Sequence, residues 1–243
     1  MISIYDDDYF IPPLSRYSFS FPNPRYGAKE GLLAYGGDLN PNRILNAYRR
    51  GIFPWYSEGD PILWWSPDPR LILEPNSFKV SRSFRRVLRN SEYRVTFDRD
   101  FKGVITNCSK APRKNQNGTW LIDEMIEAYS ELHSMGWAHS VEVYIDDKLA
   151  GGLYGVAIGG VFFGESMFSL KPNSSKIALK ALSDVLSKRG YDLIDCQVVT
   201  EHLKRLGAKE VSRDDFLDRL EVALNLSVDS SPWREIVWEY SDD

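Results

Sequence analysis

The sequence predicts an α+β protein in which a mixed sheet flanked by helices (71–243) follows a small, loop-rich N-terminal domain (1–70). Three observations carry this. From Leu71 onward, helical and strand periodicities alternate and end in helix, strand and two short helices. Before it, most of the 13 prolines crowd into a segment with only one good helical stretch, Pro41 to Gly51. Finally, 43% hydrophobic with 26% charged residues over 243 positions is the composition of a soluble globular chain with a sizeable core.

In the N-terminal part, Ile44, Leu45 and Tyr48 share one face of the helix. The stretch Gly51 to Arg70 sets three Trp beside four Pro, which makes it rigid without a long element. Beyond it, helices are expected over Ser81–Asn90 and Phe101–Cys108, with a strand over Tyr93–Phe97 between them. Thr119 can cap a helix running to Ser134, where Ile122, Tyr129 and Leu132 recur at helical spacing. Ser140–Ile145, Leu149–Ala157 and Gly160–Phe163 read as an antiparallel meander around Asp146-Asp147 and Gly159-Gly160. A helix from Asn173 or Ser174 closes at Gly190, a strand covers Asp192–Val198, and short helices over Glu201–Leu206 and Ser212–Leu224 complete the core.

Several classes fall away on counting. Cys108 and Cys196 are too few and too distant for a disulfide framework or a CxxC zinc site, so a reducing compartment is the default. His133, His139 and His202 are too dispersed to suggest a metal cluster. The start MISIYDDDYF lacks the basic and apolar regions of a signal peptide, and no run of 18 apolar residues occurs, so a cytoplasmic location is expected. Net charge of −4 argues against wholesale coating of nucleic acid and leaves the question to local clusters. One cluster stands out: Lys79, Arg82, Arg85, Arg86 and Arg89 have no acid between them, and the four arginines share a helical face, either a phosphate-binding stripe or a solvated surface. Lys110, Arg113 and Lys114 extend it. Asp195 and Gln197 stand two apart on a predicted strand, which puts both on one face and Cys196 on the other. That alternation is more often a half-solvated strand face than a substrate-facing pair.

The strings GLLAYGGDL (31–39), GIFPWYS (51–57), WWSPDPR (64–70), GTW (118–120), HSVEV (139–143), GGLYGV (151–156), GESMFS (164–169) and LIDCQV (193–198) together resemble the bacterial leucyl/phenylalanyl-tRNA–protein transferases, in register over residues 14–225. The resemblance implies a cytoplasmic, monomeric enzyme with a GNAT-like acyltransferase domain. Such an enzyme moves Leu or Phe, with Met as a third donor, from aminoacyl-tRNA to an N-terminal Arg or Lys of a protein and so marks it for degradation. It implies catalytic roles for Asp195 and Gln197 at the acceptor amine and for Glu165 beside the acceptor's basic side chain, where charge-assisted hydrogen bonds favour a cation. It places Trp55 and Trp120, with Tyr48 and Tyr129, around the terminal adenosine, although rings of this kind also fill cores. It assigns Leu153, Phe162, Leu179, Leu182 and Leu186 to the pocket for the donor side chain, where periodicity alone reads core packing. Some members carry Phe at the positions of Leu182 and Leu186 and Met at that of Leu153, so the pocket here departs from theirs in shape. Because the aminoacyl ester is already activated, neither a metal nor an organic cofactor is needed.

Two rivals differ in chemistry. An acetyl-CoA N-acetyltransferase would cradle pyrophosphate in a glycine-rich turn, yet LKPNSSK (170–176) holds no glycine. A non-catalytic RNA-binding protein would keep the stacking aromatics and have no use for Glu165, Asp195 and Gln197. Replacing Arg82, Arg85 and Arg89 by Ala is expected to flatten the salt dependence of tRNA affinity, by about one log unit per log unit for each phosphate no longer neutralised. Titrations at several salt concentrations on a folded variant check this, and an unchanged slope makes the stripe a solvated face.

Overall fold

The computed structural model describes residues 5–6, 9–90, 92–111 and 122–242. A two-stranded hairpin, β1 (Tyr5–Asp6) with β2 (Tyr9–Phe10), precedes the N-terminal sheet. That sheet is ordered β3-β4-β6-β5, from β3 (Pro13–Leu14), β4 (Leu32–Gly36), β5 (Phe53–Pro54) and β6 (Leu63–Trp65). The Pro- and Trp-rich stretch is thus less irregular than expected, because two very short strands need only a few free N–H groups between prolines. Between β4 and β5 lies α1 (Pro41–Tyr48), with Pro41 in its first turn and the Asn40 side chain accepting from the Asn42 N–H at 3.0 Å.

The second sheet draws on β7 (Arg70–Leu73), β8 (Arg94–Phe97), β9 (Ala138–Ile145), β10 (Lys148–Ile158), β11 (Val161–Ser169), β12 (Leu193–Gln197) and β13 (Lys209–Val211), in the order β13-β7-β12-β11-β10-β9-β8. Its helices are α2 (Arg82–Asn90), α3 (Phe101–Lys110), α4 (Asp123–Ser134), α5 (Ser174–Lys188), α6 (Glu201–Arg205) and α7 (Arg213–Ala223). The α+β class and the meander β9-β10-β11 are as the sequence implies. Strands β7 and β13 have no counterpart in the sequence reading, because each is short and β7 is buried throughout, without alternation. β11 also runs well past Phe163, through the GESMFS string. α4 begins at Asp123, and Thr119 lies outside the described residues.

The large sheet separates two apolar clusters. Along β11, Val161 and Phe163 join the cluster containing α3, α4, α7 and the N-terminal Ile44, Tyr48 and Trp64, while Phe162 joins the one containing α2, α5, Trp233 and Trp238. Strands β11 and β12, the one parallel pair in this sheet among the described residues, match only over Val161↔Leu193, Phe162↔Ile194 and Phe163↔Asp195. Past that point β11 stays with β10 and β12 with β7, so the two strands part.

A β-bulge flanks the parting on each side. Gly155 faces Gly164 while Tyr154 faces Ser166, which leaves Glu165 as an extra residue, and Asp195 faces Ile72 while Gln197 faces Leu71, which leaves Cys196 as another. Gly155 is required there, since a Cβ would sit 2.2 Å from the Phe163 carbonyl oxygen.

Arg213, at the start of α7, clasps the N-terminal residues: its guanidinium donates to the carbonyls of Gly27 (2.7 Å), Ala28 (2.9 Å) and Ser66 (2.8 Å). Arg213→Met is expected to destabilise the fold by about 1–3 kcal/mol, because it keeps much of the volume but leaves the buried Ser66 carbonyl without its donor. Equilibrium urea unfolding measures this.

Candidate active site

A cavity of about 440 Å³ opens where β11 and β12 part. Its apolar wall comes from Leu153 on β10, Phe162 and Met167 on β11, Leu179 and Leu182 on α5, and Ile194 on β12. Four of the five residues expected to hold a donor side chain therefore meet here. Leu186 does not: one helical turn beyond Leu182, it is fully buried in the core behind the wall. Sequence reasoning missed Phe53, Met167, Cys196, His202 and Leu203, which also line the cavity, since nothing in their spacing separates them from core residues.

The polar end is built around Glu165, raised out of the strand by its bulge. Oε1 accepts from Tyr48 Oη at 2.6 Å and from Gln197 Nε2 at 2.6 Å, and Oε2 accepts from Tyr129 Oη at 3.0 Å. The two tyrosine hydroxyls also lie within hydrogen-bonding reach of each other, and because each carries a single proton, all three contacts are filled together only when Glu165 is protonated and donates to one of them. Burial pushes the Glu165 carboxyl up to about 7, against the opposing pull of the three donors, and the nearby Asp195 charge adds to the rise. Burial and the Glu165 charge hold both tyrosines well above their ordinary value, so they remain donors.

Tyr48 and Tyr129 are fully buried, so neither has a face on which a base can stack. Both rings belong to the core, and their hydroxyls hold Glu165. Trp55 does line the cavity, half-buried, with its ring 5.7 Å from that of Trp65 and its carbonyl bound by Trp65 Nε1 at 2.6 Å. Trp120 lies outside the described residues.

The face shared by Asp195 and Gln197 also needs correction. The bulge at Cys196 breaks strict alternation, so Cys196 and Gln197 both line the cavity and Asp195 does not. Asp195 is completely buried and accepts from Arg70 Nε at 2.8 Å and Nη2 at 2.6 Å, and its Oδ1 also takes the Gln197 N–H at 2.9 Å. Gln197 adopts a left-handed backbone (φ 62°), and its side chain is aimed at Glu165.

On α2, Arg82, Arg85, Arg86 and Arg89 surround a shallow concavity, and Lys79 stands just before the helix. Arg85 and Arg89 face Asp242 from the C-terminal end, whereas Arg82 and Arg86 meet no carboxylate within 4 Å among the described residues. Lys110 closes α3, while Arg113 and Lys114 lie outside the described residues. No group of three or more His, Cys, Asp or Glu side chains is placed to hold a metal, and no helix is long and apolar enough to cross a membrane, among the described residues.

An apolar pocket closed at one end by a carboxyl and an amide fits an enzyme that passes an acyl group to an amine. Sequence comparison makes this class specific. Residues 72–221 match the family described as leucyl/phenylalanyl-tRNA protein transferase, and residues 37–68 match its N-terminal domain. The leucyl/phenylalanyl-tRNA–protein transferase of Sulfurimonas denitrificans is 55% identical over 223 residues, 92% of this chain and 96% of the relative. That of an Anaeromyxobacter species is 54% identical over 206 residues, 85% of this chain and 88% of the relative. The chain belongs to this family and is an aminoacyltransferase, and neither rival reading is favoured. Among solved structures, a GCN5-related N-acetyltransferase from Kribbella flavida aligns with 68% of this chain and 58% of its own at 13% identity and a TM-score of 0.34.

The carboxyl of Glu165 titrates from 4.5 in an unfolded chain to about 7 in the fold, so the folded state keeps a proton that the unfolded state loses. Its contribution is therefore most favourable below about pH 4.5, declines as pH rises towards 7, and stays lower above, by roughly 3 kcal/mol. Glu165→Gln is expected to gain stability relative to the parent over that window. Urea unfolding of both proteins between pH 5 and 8 checks it, and parallel curves would remove Glu165 from the pH dependence.

Proposed function

We propose that this enzyme takes Leu or Phe, with Met as a third donor, from aminoacyl-tRNA and joins it to the N-terminal Arg or Lys of an acceptor protein. The acceptor is thereby marked for degradation, and the enzyme works as a cytoplasmic monomer. The observation that carries the reading is the cavity itself, with an apolar wall at one end and Gln197 and Glu165 at the other. Leu153, Phe162, Leu179 and Leu182 offer the donor side chain an apolar surface, which disfavours polar amino acids by the cost of stranding their hydrogen-bonding groups. Trp55 supplies a ring for the terminal adenine, and Trp120 is assigned to the same base. Lys79 and the α2 arginines supply cations for tRNA phosphates.

In the transfer, the acceptor α-nitrogen attacks the ester carbonyl, the bond from that carbon to the ribose oxygen breaks, and a proton from nitrogen ends on the ribose hydroxyl. A free α-amine titrates at about 7.7–8.0, so a substantial fraction is neutral near pH 7 and no strong base is required. Gln197 commits its Nε2 to Glu165, which leaves its carbonyl oxygen as an acceptor for the attacking N–H. Glu165, ionised by an approaching cation, pairs with the acceptor's Arg or Lys side chain. Asp195 lies behind Gln197 and acts through it, not on the substrate.

A peptide beginning with Arg, incubated with Leu-tRNA and the enzyme, is expected to gain one leucyl residue by mass. Glu165→Gln should collapse the preference for Arg-peptides over neutral ones, and Trp55→Ala should weaken a minimal aminoacyl-adenosine donor by about 1–3 kcal/mol. An unmodified peptide refutes the reading as a whole, whereas a retained preference in Glu165→Gln moves acceptor selection elsewhere.

A further inference from the structure

Arg70 is the last residue of WWSPDPR and the first of β7, and its side chain is buried at 1% exposure although no substrate group assigned above reaches it. Its guanidinium grips both oxygens of Asp195 in a fork, and the rings of Phe53 (4.9 Å) and Phe216 (4.4 Å) cover it. A cation and a carboxylate buried this deeply are costly to desolvate, so stability alone is a weak reason for the pair.

Its position suggests another use. Asp195 Oδ1, besides accepting from Arg70 Nε, accepts the N–H of Gln197 at 2.9 Å across the bulge. That bond spans the unpaired Cys196 and fixes the left-handed turn at Gln197, a conformation that a non-glycine residue rarely adopts. From this turn the Gln197 side chain reaches Glu165 Oε1 at 2.6 Å. The chain of contacts is continuous: Phe53 and Phe216 hold Arg70, Arg70 orients Asp195, Asp195 sets the Gln197 backbone, and Gln197 meets the cavity.

We propose that Arg70 is a positioning residue for the transfer, which through its two-pronged grip on Asp195 fixes the bulge that aims Gln197 at the acceptor amine. The inference rests on the role given to Gln197 above. A lysine cannot reproduce it, since an ammonium offers a point charge where the carboxylate plane is matched by a planar fork. Rotation of Asp195 then frees the Gln197 N–H, and a displacement of about 1 Å at a reacting group can cost on the order of 10²-fold in rate.

The experiment is a cycle of single-turnover rates with saturating Leu-tRNA and an Arg-peptide, for the parent, Arg70→Lys, Gln197→Ala and the double variant. Arg70→Lys is expected to slow the chemical step by about 10–100-fold, with KM for both substrates within about twofold, because the cavity wall is untouched. The double variant should be no slower than Gln197→Ala, since the two changes remove one function. Parent-like rates in Arg70→Lys overturn the proposal, and so do multiplying losses in the double variant, the mark of a separate structural role. Parent-like rates in Gln197→Ala instead overturn the role of Gln197 itself, and the proposal with it. If Arg70→Lys does not fold, the charge-free pair Arg70→Gln/Asp195→Asn takes its place in the cycle with the same expected and excluding outcomes.

Discussion

The parting of β11 and β12 is the constraint on which the rest of the molecule depends. Two parallel strands that separate after three matched positions leave backbone groups and side chains facing a gap, and a gap within a sheet survives only if its lining is otherwise supported. Here β10 and β7 carry the hydrogen bonding onward on either side, and a bulge on each side turns one polar residue toward the opening. The apolar wall follows from α5 packing beneath, which supplies Leu179 and Leu182. Pocket and polar cluster are thus two consequences of one topological event.

Electrostatics at the polar end is held in balance. Glu165 is buried enough to favour its neutral form, yet three donors converge on it and favour the anion. A carboxyl poised in this way changes charge state when a cation approaches, so the charge it presents and its desolvation are coupled. Asp195 shows the opposite solution. Its charge is matched by a guanidinium fork, which holds it away from the cavity but gives it a fixed geometry.

Much of this was legible in the sequence, and the limits are instructive. Periodicity located α2, α3, α5 and α7 closely because each buries one stripe and caps or glycines mark the ends, as Ser212 does for α7 and Gly190 does after α5. Strand alternation failed at Cys196, since a period of 2 carries no mark of a bulge and shifts by one residue once it is passed. Tyr48 and Tyr129 were recognisable as site residues by resemblance, but aromatic chemistry alone does not distinguish a stacking face from a buried ring that acts through its hydroxyl. Arg70 gave no periodic signal, because its partner lies 125 residues away in the chain.

The cover on Arg70 has a consequence for folding. Phe53 comes from the N-terminal sheet and Phe216 from α7, so the guanidinium gains its full enclosure only when segments from both ends of the chain have come together. Contacts of such long sequence separation cost loop-closure entropy before they return any stabilisation, and they form late. The same helix brings Leu217 and Leu220 into the core and Arg213 onto the carbonyls of Gly27, Ala28 and Ser66, so the ring that completes the cover arrives with the contacts that tie the N-terminal residues down. The bracing of Asp195, and through it of Gln197, is therefore tied to the docking of α7 against the N-terminal sheet.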